Sequence, residues 1–239
     1  MGMRLNKSKG RMFPNVHYTA TYYMGCDHGC KYCWATLMGL SHTPRLVNKD
    51  TSHRIRVRDC TVFLNSAHDS FANIIPTDWI LKMVEWMRNQ HPSITFYLQT
   101  KNPKRAESLL DWFKGLESRV VFGTTIETDS AELCRQISKA PPPRERAEAL
   151  GAIRKHGFQV WVSHEPLYRF NHQALLDLDR IAGPRMVMVG LDNYSGRHGL
   201  NIPGPTRSEY MRLRTHLIER GVEVVEKKSI VDWTRRTQT

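Results

Sequence analysis

Three cysteines stand within eight residues of one another, at Cys26, Cys30 and Cys33. They follow a strand-like run and lie on one loop, so their thiolates can converge on a single metal centre. A cubane iron–sulfur cluster contains four irons and is usually held by four cysteines. With three cysteines, one iron stays free to bind another molecule, and chemistry can take place at that open position. The spacing therefore predicts an iron–sulfur cluster with a reactive iron.

A zinc site is the main alternative at this loop. Structural zinc normally has four ligands, as two Cys-x-x-Cys pairs or as Cys2His2. The remaining cysteines, Cys60 and Cys134, stand alone, whereas His28 lies inside the loop and can supply a fourth ligand. Disulfides would need an oxidising compartment, and the N-terminal residues lack the apolar segment of a secretory signal. We therefore expect a reducing, cytoplasmic location.

The cysteine loop also resembles the signature of a known superfamily. Cys-x3-Cys-x2-Cys with an aromatic residue, Tyr32, before the last cysteine is similar to the motif of radical S-adenosylmethionine (radical SAM) enzymes. The resemblance implies a [4Fe–4S] cluster on Cys26, Cys30 and Cys33, with SAM bound to the open iron through its amino and carboxylate groups. It further implies an external electron donor of flavodoxin or ferredoxin type, and reductive cleavage of SAM to a 5′-deoxyadenosyl radical that abstracts hydrogen from a substrate.

A second resemblance covers most of the chain and is narrower. The segments 63–66, 98–103, 123–128, 138–143, 162–166 and 190–194 are similar to those of phage-associated radical SAM proteins, the phage Gp37/Gp68-like subfamily. Spore photoproduct lyase is a distant relative of that subfamily. The phage association implies DNA modification, with a reaction of isomerase or lyase type.

The net charge also bears on the substrate. Thirty-five Lys and Arg against 23 Asp and Glu give a net charge of +12. Such an excess attracts polyanions and strengthens contacts to phosphates. We therefore expect DNA or a nucleotide as substrate, with two alternatives: a radical SAM enzyme acting on a peptide or small metabolite, and a zinc-bound nucleic-acid-binding protein. No run approaches the ~18 apolar residues of a membrane helix, so no membrane partner is expected.

Alternating strands and helices must position the reactive residues. Apolar runs predict strands at 18–24, 61–65, 95–100, 120–125, 159–163 and 186–191, with a late strand at 223–226. Helices are predicted at 77–89, 104–116, 144–156, 172–182 and 206–220. This alternation indicates parallel strands with crossover helices. It predicts one α/β domain over 1–239, with an N-terminal extension at 1–16 and a C-terminal tail at 227–239. The superfamily resemblance implies a partial (β/α)6 TIM barrel, and a doubly wound open sheet is the alternative.

Polar residues follow the predicted strands, at the edge where parallel α/β folds place their active sites. Candidate SAM-binding residues there are Tyr32, Asn65, Ser66, Asp69, Thr124, Thr125 and Glu127. Radical SAM enzymes often carry a Gly-Gly-Glu motif after the second strand, and this chain departs from it with the segment from Asn65 to Asp69. A simple turn, with Asp69 capping a short helix, is the alternative at this position.

Four further residues are candidates for catalysis: Lys101, His164, Glu165 and Asp192. Lys101 ends the third strand and can hold a phosphate or carboxylate, or form a Schiff base with pyridoxal phosphate. The adjacent His164 and Glu165 can position a substrate or move a proton, because histidine titrates near neutral pH. Their alternative role is to orient another side chain through a hydrogen bond.

Overall fold

A mostly parallel sheet organises the computed structural model, which describes residues 5–8 and 15–236. In these residues the strands are β1 (Leu5–Lys7), β2 (Tyr18–Ala20), β3 (Tyr23–Met24), β4 (Arg45–Leu46), β5 (Thr61–Leu64), β6 (Thr95–Gln99), β7 (Val120–Thr125), β8 (Gln159–His164), β9 (Met186–Val189) and β10 (Glu223–Glu226). The main sheet has the order β1-β2-β5-β6-β7-β8-β9-β10, while β3 and β4 form a separate antiparallel pair. Every neighbouring pair from β2 to β10 is parallel, and only β1 runs antiparallel to its neighbour.

Helices connect successive strands of this sheet. They are α1 (Trp34–Leu37), α2 (Thr77–Arg88), α3 (Pro103–Ser108), α4 (Ala131–Ile137), α5 (Pro143–Lys155), α6 (His172–Ala182), α7 (Arg207–Glu219) and α8 (Lys228–Arg236), with a 3-10 turn at Leu110–Phe113. Strand order follows chain order, and crossovers of this kind are right-handed as a rule. The predicted partial (β/α)6 barrel is confirmed, with β10 as an additional parallel strand. No helix in the described part of the chain has the length and apolarity needed to cross a membrane.

The two faces of the sheet pack against different partners. Alternate residues such as Phe96, Leu98 and Phe122 belong to the large core beneath the helices. The residues between them point to the inner face, where Phe63, Trp161 and neighbouring side chains form a smaller cluster. Because side chains alternate along a strand with period two, each strand contributes to both layers. The inner cluster fills the interior of the partial barrel.

Local sequence signals explain how the helices begin and end. Asn171 caps α6 by accepting a hydrogen bond from the Ala174 amide at 3.1 Å, and Gly183 ends that helix in the left-handed conformation. Thr206 and Glu209 form a reciprocal capping box at the start of α7. These caps fix where each helix leaves the sheet, and therefore where the preceding strand-end loop must turn.

Two predicted elements have other boundaries in the structure, and the two predicted terminal segments contain secondary structure. The strand expected over 18–24 is split, because Asn65 accepts hydrogen bonds from the Tyr22 and Tyr23 amides and the chain turns there into the β3–β4 pair. The helix expected over 104–116 is the short α3 followed by the 3-10 turn. The predicted tail at 227–239 contains α8, in which Ile230 is fully buried. The predicted extension at 1–16 includes β1, and its residues 1–4 and 9–14 lie outside the described residues, as do 237–239.

Candidate active site at the carboxyl ends of the strands

A cavity of about 1220 Å³ opens at the carboxyl ends of the parallel strands. Its lining includes the three predicted cysteine ligands and seven other predicted site residues, namely Cys26, Cys30, Cys33, Tyr32, Ser66, Asp69, Lys101, Thr125, Glu165 and Asp192. Phe63 of the inner cluster contributes to the floor, and Trp233 of α8 contributes to the wall furthest along the sheet. The site therefore draws on loops that follow most of the parallel strands, as the general rule for such folds predicts.

The cysteine loop is held in place by backbone contacts and glycines. Gly25 has φ +134° and Gly29 has φ +55°, conformations in which side chains are strained. A Cβ at Gly25 would lie 2.7 Å from Ile75 Cδ1, so this position also lacks space. On the far side the loop binds the segment before α5: Lys139 N donates to His28 O at 2.7 Å and Lys31 N donates to Ile137 O at 2.8 Å.

The donor set of the loop fits a cluster with one open iron. Cys26, Cys30 and Cys33 are free thiols on one cavity, and burial raises the pKa of Cys26 and of Cys30. Metal binding must displace these protons, because the thiolate is the ligand. Among the described residues, no group of three or more His, Cys, Asp or Glu is arranged to hold a single metal ion. His28, the candidate fourth zinc ligand, has its Nε2 atom 2.9 Å from Asp69 Oδ2. Three thiols that line one cavity are the ligand set that a cubane cluster with one open iron needs.

Asp69 braces the cysteine loop against the sheet. Its carboxylate accepts hydrogen bonds from Thr100 Oγ1 at 2.7 Å, from the Lys101 amide at 2.6 Å and from the Phe71 amide at 2.7 Å, and it contacts His28. Burial alone would raise the pKa of Asp69, but His28 and these donors outweigh burial and lower the pKa. The structure therefore uses most of the hydrogen-bonding capacity of Asp69 within the protein.

A buried charge network lies behind Cys30. Glu127 is fully buried and pairs with Arg146, whose Nη1 donates to Glu127 Oε2 at 2.8 Å with both side chains inaccessible to solvent. The other carboxylate oxygen accepts from Tyr32 OH and Lys101 Nζ. Burial would raise the pKa of Glu127, but Arg146 and Lys101 outweigh it and hold that pKa well below its usual range. The Lys101 ammonium also lies 5.3 Å from the Tyr32 ring centroid, a cation–π distance.

Strand alternation decides which candidates reach the cavity. Thr125 faces inward and accepts a hydrogen bond from Gln99 Nε2 at 2.9 Å, whereas Thr124 faces the helices and donates to Thr100 O at 2.7 Å. His164 likewise faces the helix layer, fully buried. Its Nδ1 lies 2.7 Å from Ile126 O and its Nε2 lies 3.1 Å from Asp179 Oδ2. The structure thus places Thr124 and His164 behind the cavity wall.

Glu165 and Asp192 lie on the side of the cavity formed by the last strands. Glu165 pairs with Lys227 at 2.9 Å, and Gly190 leaves room for it, because a Cβ there would lie 3.0 Å from the Glu165 side chain. Asp192 Oδ2 accepts from Tyr168 OH at 2.8 Å and lies 2.7 Å from His198 Nε2. Both carboxylates are therefore oriented by protein partners while they line the cavity.

The sequence reasoning missed Arg146, Ser138 and the wall that α8 supplies. Arg146 occupies the buried face of α5 with Pro143, Ala147 and Leu150, so the helical spacing of that apolar stripe contained the signal. Ser138 Oγ lies 3.3 Å from Cys30 Sγ, and its only sequence signal is membership of the 138–143 segment. Helix α8 has no counterpart among the predicted elements.

Comparisons with known proteins support the fold. No protein-family model matches the chain, and no curated protein matches it in sequence. The solved structures that match include two crystal structures of Streptococcus suis SuiB. One is bound to the precursor peptide SuiA, with a TM-score of 0.57, 13% identity, and 90% of this chain and 49% of SuiB covered. The other is bound to S-adenosylmethionine, with a TM-score of 0.51, 12% identity, and 87% and 45% covered. At these identities the likeness concerns the fold, and the chain spans about half the length of SuiB.

Proposed function

We propose that this chain is a radical SAM enzyme that holds a [4Fe–4S] cluster on Cys26, Cys30 and Cys33. The observation that carries the proposal is that these three thiols line one cavity with the strand-end polar residues, in a fold shared with a protein that binds SAM. When bound, the reduced cluster and SAM supply one-electron cleavage of the S–C5′ bond of SAM, and so a hydrogen-abstracting radical. The cavity exceeds the usual volume of a small-molecule site and offers room for SAM together with part of a substrate.

Residues near the cysteines bind and orient SAM in this proposal. Ser66, Thr125 and Gln99 line the cavity and present hydroxyl and amide groups to it. Glu127 lies behind them and fixes the positions of Tyr32 and Lys101 through the contacts described above. Asn65, Asp69 and Thr124 act as positioning residues, because their polar atoms bond to protein groups.

The opposite wall contacts the substrate. Glu165 and Asp192 present oriented carboxylates to the cavity, while Lys101, which also lines it, is held by its ion pair with Glu127. His164 acts through its neighbours: it holds the Ile126 carbonyl and Asp179, and so fixes the end of β7. An oxygen-sensitive cluster needs a reducing compartment, in agreement with the expected cytoplasmic location.

A peptide is the first candidate substrate. SuiB, which shares the fold, was crystallised with a precursor peptide. The cavity lining carries more carboxylates than lysines, with Asp69, Glu165, Asp192, Glu226 and Asp232 against Lys101, Lys227 and Lys228. A polyphosphate backbone would meet repulsion in such a cavity, whereas a peptide segment with polar or basic side chains would not.

DNA is the second candidate substrate, and the net charge favours it. The excess of +12 resides outside the cavity, for example on the exposed side chains of Lys49, Arg54, Arg56 and Arg58. Such a surface binds phosphates. The reaction would then rearrange or repair a base, as an isomerase or lyase, and the base would have to leave the stack to reach the cavity.

The decisive experiment is anaerobic reconstitution with iron and sulfide, followed by dithionite and SAM, with 5′-deoxyadenosine measured by chromatography. The assay is run alone, with a peptide library and with duplex and single-stranded DNA, at two salt concentrations. We expect 5′-deoxyadenosine in all samples and a stimulation by peptides that changes little with salt.

Stimulation by DNA that falls steeply as salt rises would assign the nucleic-acid substrate instead. A protein that binds zinc, assembles no cluster and yields no 5′-deoxyadenosine would overturn the proposed enzyme activity and leave the zinc-bound nucleic-acid-binding alternative.

A further inference from the structure

The hydroxyl group of Ser138 contacts Cys30, the middle ligand of the proposed cluster. Ser138 Oγ lies 3.3 Å from Cys30 Sγ, and Ser138 is buried, with 6% of its surface exposed. The cavity lining includes Cys30 but not Ser138. The contact is therefore separate from the groups that are proposed to bind SAM and substrate.

Backbone hydrogen bonds on both sides of Ser138 fix its position against the cysteine loop. Ile137 O accepts from Lys31 N at 2.8 Å, and Lys139 N donates to His28 O at 2.7 Å. Ser138 itself ends α4 in an extended conformation, with φ −157° and ψ 153°. Because the residues before and after Ser138 are both bonded to the loop, the backbone sets the contact between its hydroxyl group and the Cys30 sulfur.

The other hydrogen bonds of Ser138 leave its proton for that sulfur. A hydroxyl group has one proton to donate and two lone pairs that accept. Ser138 Oγ accepts from Ala140 N at 3.0 Å, and its proton has two acceptors within reach, Cys30 Sγ and His28 O, each at 3.3 Å. His28 O already accepts the shorter bond from Lys139 N. Once metal binding has removed the Cys30 proton, the sulfur can only accept, and a charged acceptor forms the stronger hydrogen bond.

A second hydroxyl group near the same sulfur is committed elsewhere. Tyr32 also interacts with Cys30, but its phenol proton is donated to Glu127 Oε1. Glu127 is fully buried and holds that proton within the charge network described above. Ser138 can therefore supply the Cys30 thiolate with a proton that Tyr32 gives to a carboxylate.

We propose that Ser138 is a positioning residue that donates a hydrogen bond to the Cys30 thiolate and thereby raises the reduction potential of the cluster. This inference rests on the proposed function. Reduction adds one negative charge to the cluster and its thiolate ligands, and a hydrogen bond to a ligand sulfur stabilises that charge. Hydrogen bonds to the sulfurs are among the factors that set the potentials of such clusters. A larger fraction of the cluster is then reduced at any given solution potential.

The test separates the hydroxyl group from the structural role of Ser138. Ser138→Ala removes the hydroxyl group, whereas Ser138→Thr keeps it on an extended backbone that suits a β-branched residue. Ser130→Ala is the matched control. Ser130 Oγ also accepts from a backbone amide, Leu133 N at 3.1 Å, but among the described residues its hydroxyl group has no hydrogen bond to a proposed cysteine ligand.

Three measurements are made on the parent protein and the variants. Anaerobic redox titration of the reconstituted cluster, followed by visible absorbance and electron paramagnetic resonance, gives the midpoint potential. Resonance Raman spectra in H2O and D2O show whether the Fe–S(Cys) stretching frequencies depend on an exchangeable proton. Urea unfolding of the cluster-free proteins measures the structural cost of each substitution.

We expect Ser138→Ala to lower the equilibrium constant for one-electron reduction by about threefold to tenfold, because one hydrogen bond to the sulfur is lost. Tenfold corresponds to about 59 mV in midpoint potential. Ser138→Thr and Ser130→Ala should stay within about twofold of the parent protein. The two alanine variants should lose similar stability, since each leaves one backbone amide without its acceptor. The deuterium shift of the parent protein should shrink in Ser138→Ala.

Equal potentials of the parent protein and Ser138→Ala would overturn the inference, as would an equally lowered potential in Ser130→Ala. A parent protein without a deuterium shift would also overturn it, even if Ser138→Ala failed to fold. A parent protein that assembles no cluster would overturn the proposed function and this inference together. Iron and sulfide content shows that outcome before any variant is compared, so the two failures are distinguished.

Discussion

Glu127 shows how a buried carboxylate is kept ionised beside the cysteine loop. It has no access to solvent, and its two oxygens are occupied by Arg146, Lys101 and Tyr32. Taking a charge out of water is costly, and the cost is offset only if partners and hydrogen bonds are complete. Removing one partner therefore leaves an uncompensated charge, while the remaining groups lose their fixed positions.

Arg146→Met should lower the free energy of unfolding by about 3–5 kcal/mol, because the Glu127 carboxylate loses its fully buried partner. Arg144→Met is the matched control on the same helix, since Arg144 forms an exposed pair with Glu148 that contributes little. Urea unfolding followed by circular dichroism measures both. Equal losses in the two variants would contradict the structural role given to the buried pair.

Cys30→Ala should abolish cluster assembly and SAM cleavage together, because two thiolates cannot hold the cubane in the arrangement proposed here. Cys60→Ala is the control: Cys60 lies in the large core near the start of β5, away from the cavity, so the variant should keep its cluster. Iron and sulfide content, the visible absorption band and 5′-deoxyadenosine are measured for both. SAM cleavage that survives in Cys30→Ala would rule out Cys30 as a ligand.

At the scale of the elements, β7 and β8 pack closely in the inner layer of the sheet. Gly123 in β7 lies against the Trp161 indole of β8, and a Cβ at Gly123 would lie 2.1 Å from Trp161 Cε2. The glycine therefore makes space for the largest side chain of the inner cluster. The same alternation that points Trp161 inward points Ser163 toward the cavity and His164 toward the helices.

Gly123→Ala should destabilise the protein by about 1–3 kcal/mol, because the indole must move into a closely packed interior. Gly196→Ala is the control, since no atom lies within 4 Å of the Cβ position there, and its effect should stay within about 0.5 kcal/mol. Thermal and urea unfolding measure the difference. A Gly123→Ala variant with unchanged stability would mean that the inner cluster is less tightly packed around Trp161 than the structure indicates.

At the scale of the whole molecule, the cavity lining does not share the positive net charge of the chain. The chain has a net charge of +12, yet the cavity lining holds more carboxylates than lysines. The surface outside the cavity can therefore attract anionic molecules, while the cavity lining is not itself basic. Ionisation of the buried groups also makes the stability of the whole fold depend on pH.

Stability of the cluster-free protein should be greatest between about pH 4 and pH 6.5. The pKa values of Asp69 and Glu127 are lowered in the folded state. Their contribution to the free energy of unfolding is therefore fully present above the pKa of an unfolded carboxyl group, and it is lost as the pH falls from there through the folded pKa. For His164, burial would lower the pKa, but Asp179 outweighs burial and raises it. The contribution of His164 to the free energy of unfolding is fully present below the pKa of an unfolded histidine. It is lost as the pH rises through the pKa of His164 in the folded protein. Urea midpoints from pH 3 to 9 test this, and Asp69→Asn should flatten the acid limb. A urea midpoint that rises on acidification below pH 4 would contradict the lowered pKa values of Asp69 and Glu127.

The sequence came close to predicting the fold because its signals are local. Each parallel strand after the first is a short apolar run; the predicted ranges 120–125 and 223–226 are identical to the observed strands, and the others differ from them by one or two residues. The first strand and the helix after β6 were predicted poorly, because their ends depend on distant partners such as Asn65. The resemblance to the phage subfamily and to spore photoproduct lyase stays a prediction.

The sequence by itself determined the cysteine spacing, the alternation of strands and helices, and hence the edge of the sheet where reactive residues gather. Only the tertiary structure decided which strand-end residues reach the cavity, because a strand sends neighbouring residues to opposite faces and the barrel interior selects one of them. Thr125 and Glu165 lie on the cavity side, whereas Thr124 and His164 are buried behind it. The structure likewise decided that Arg146 pairs with the buried Glu127 and that residues of α8 line the cavity, because these contacts form only after folding.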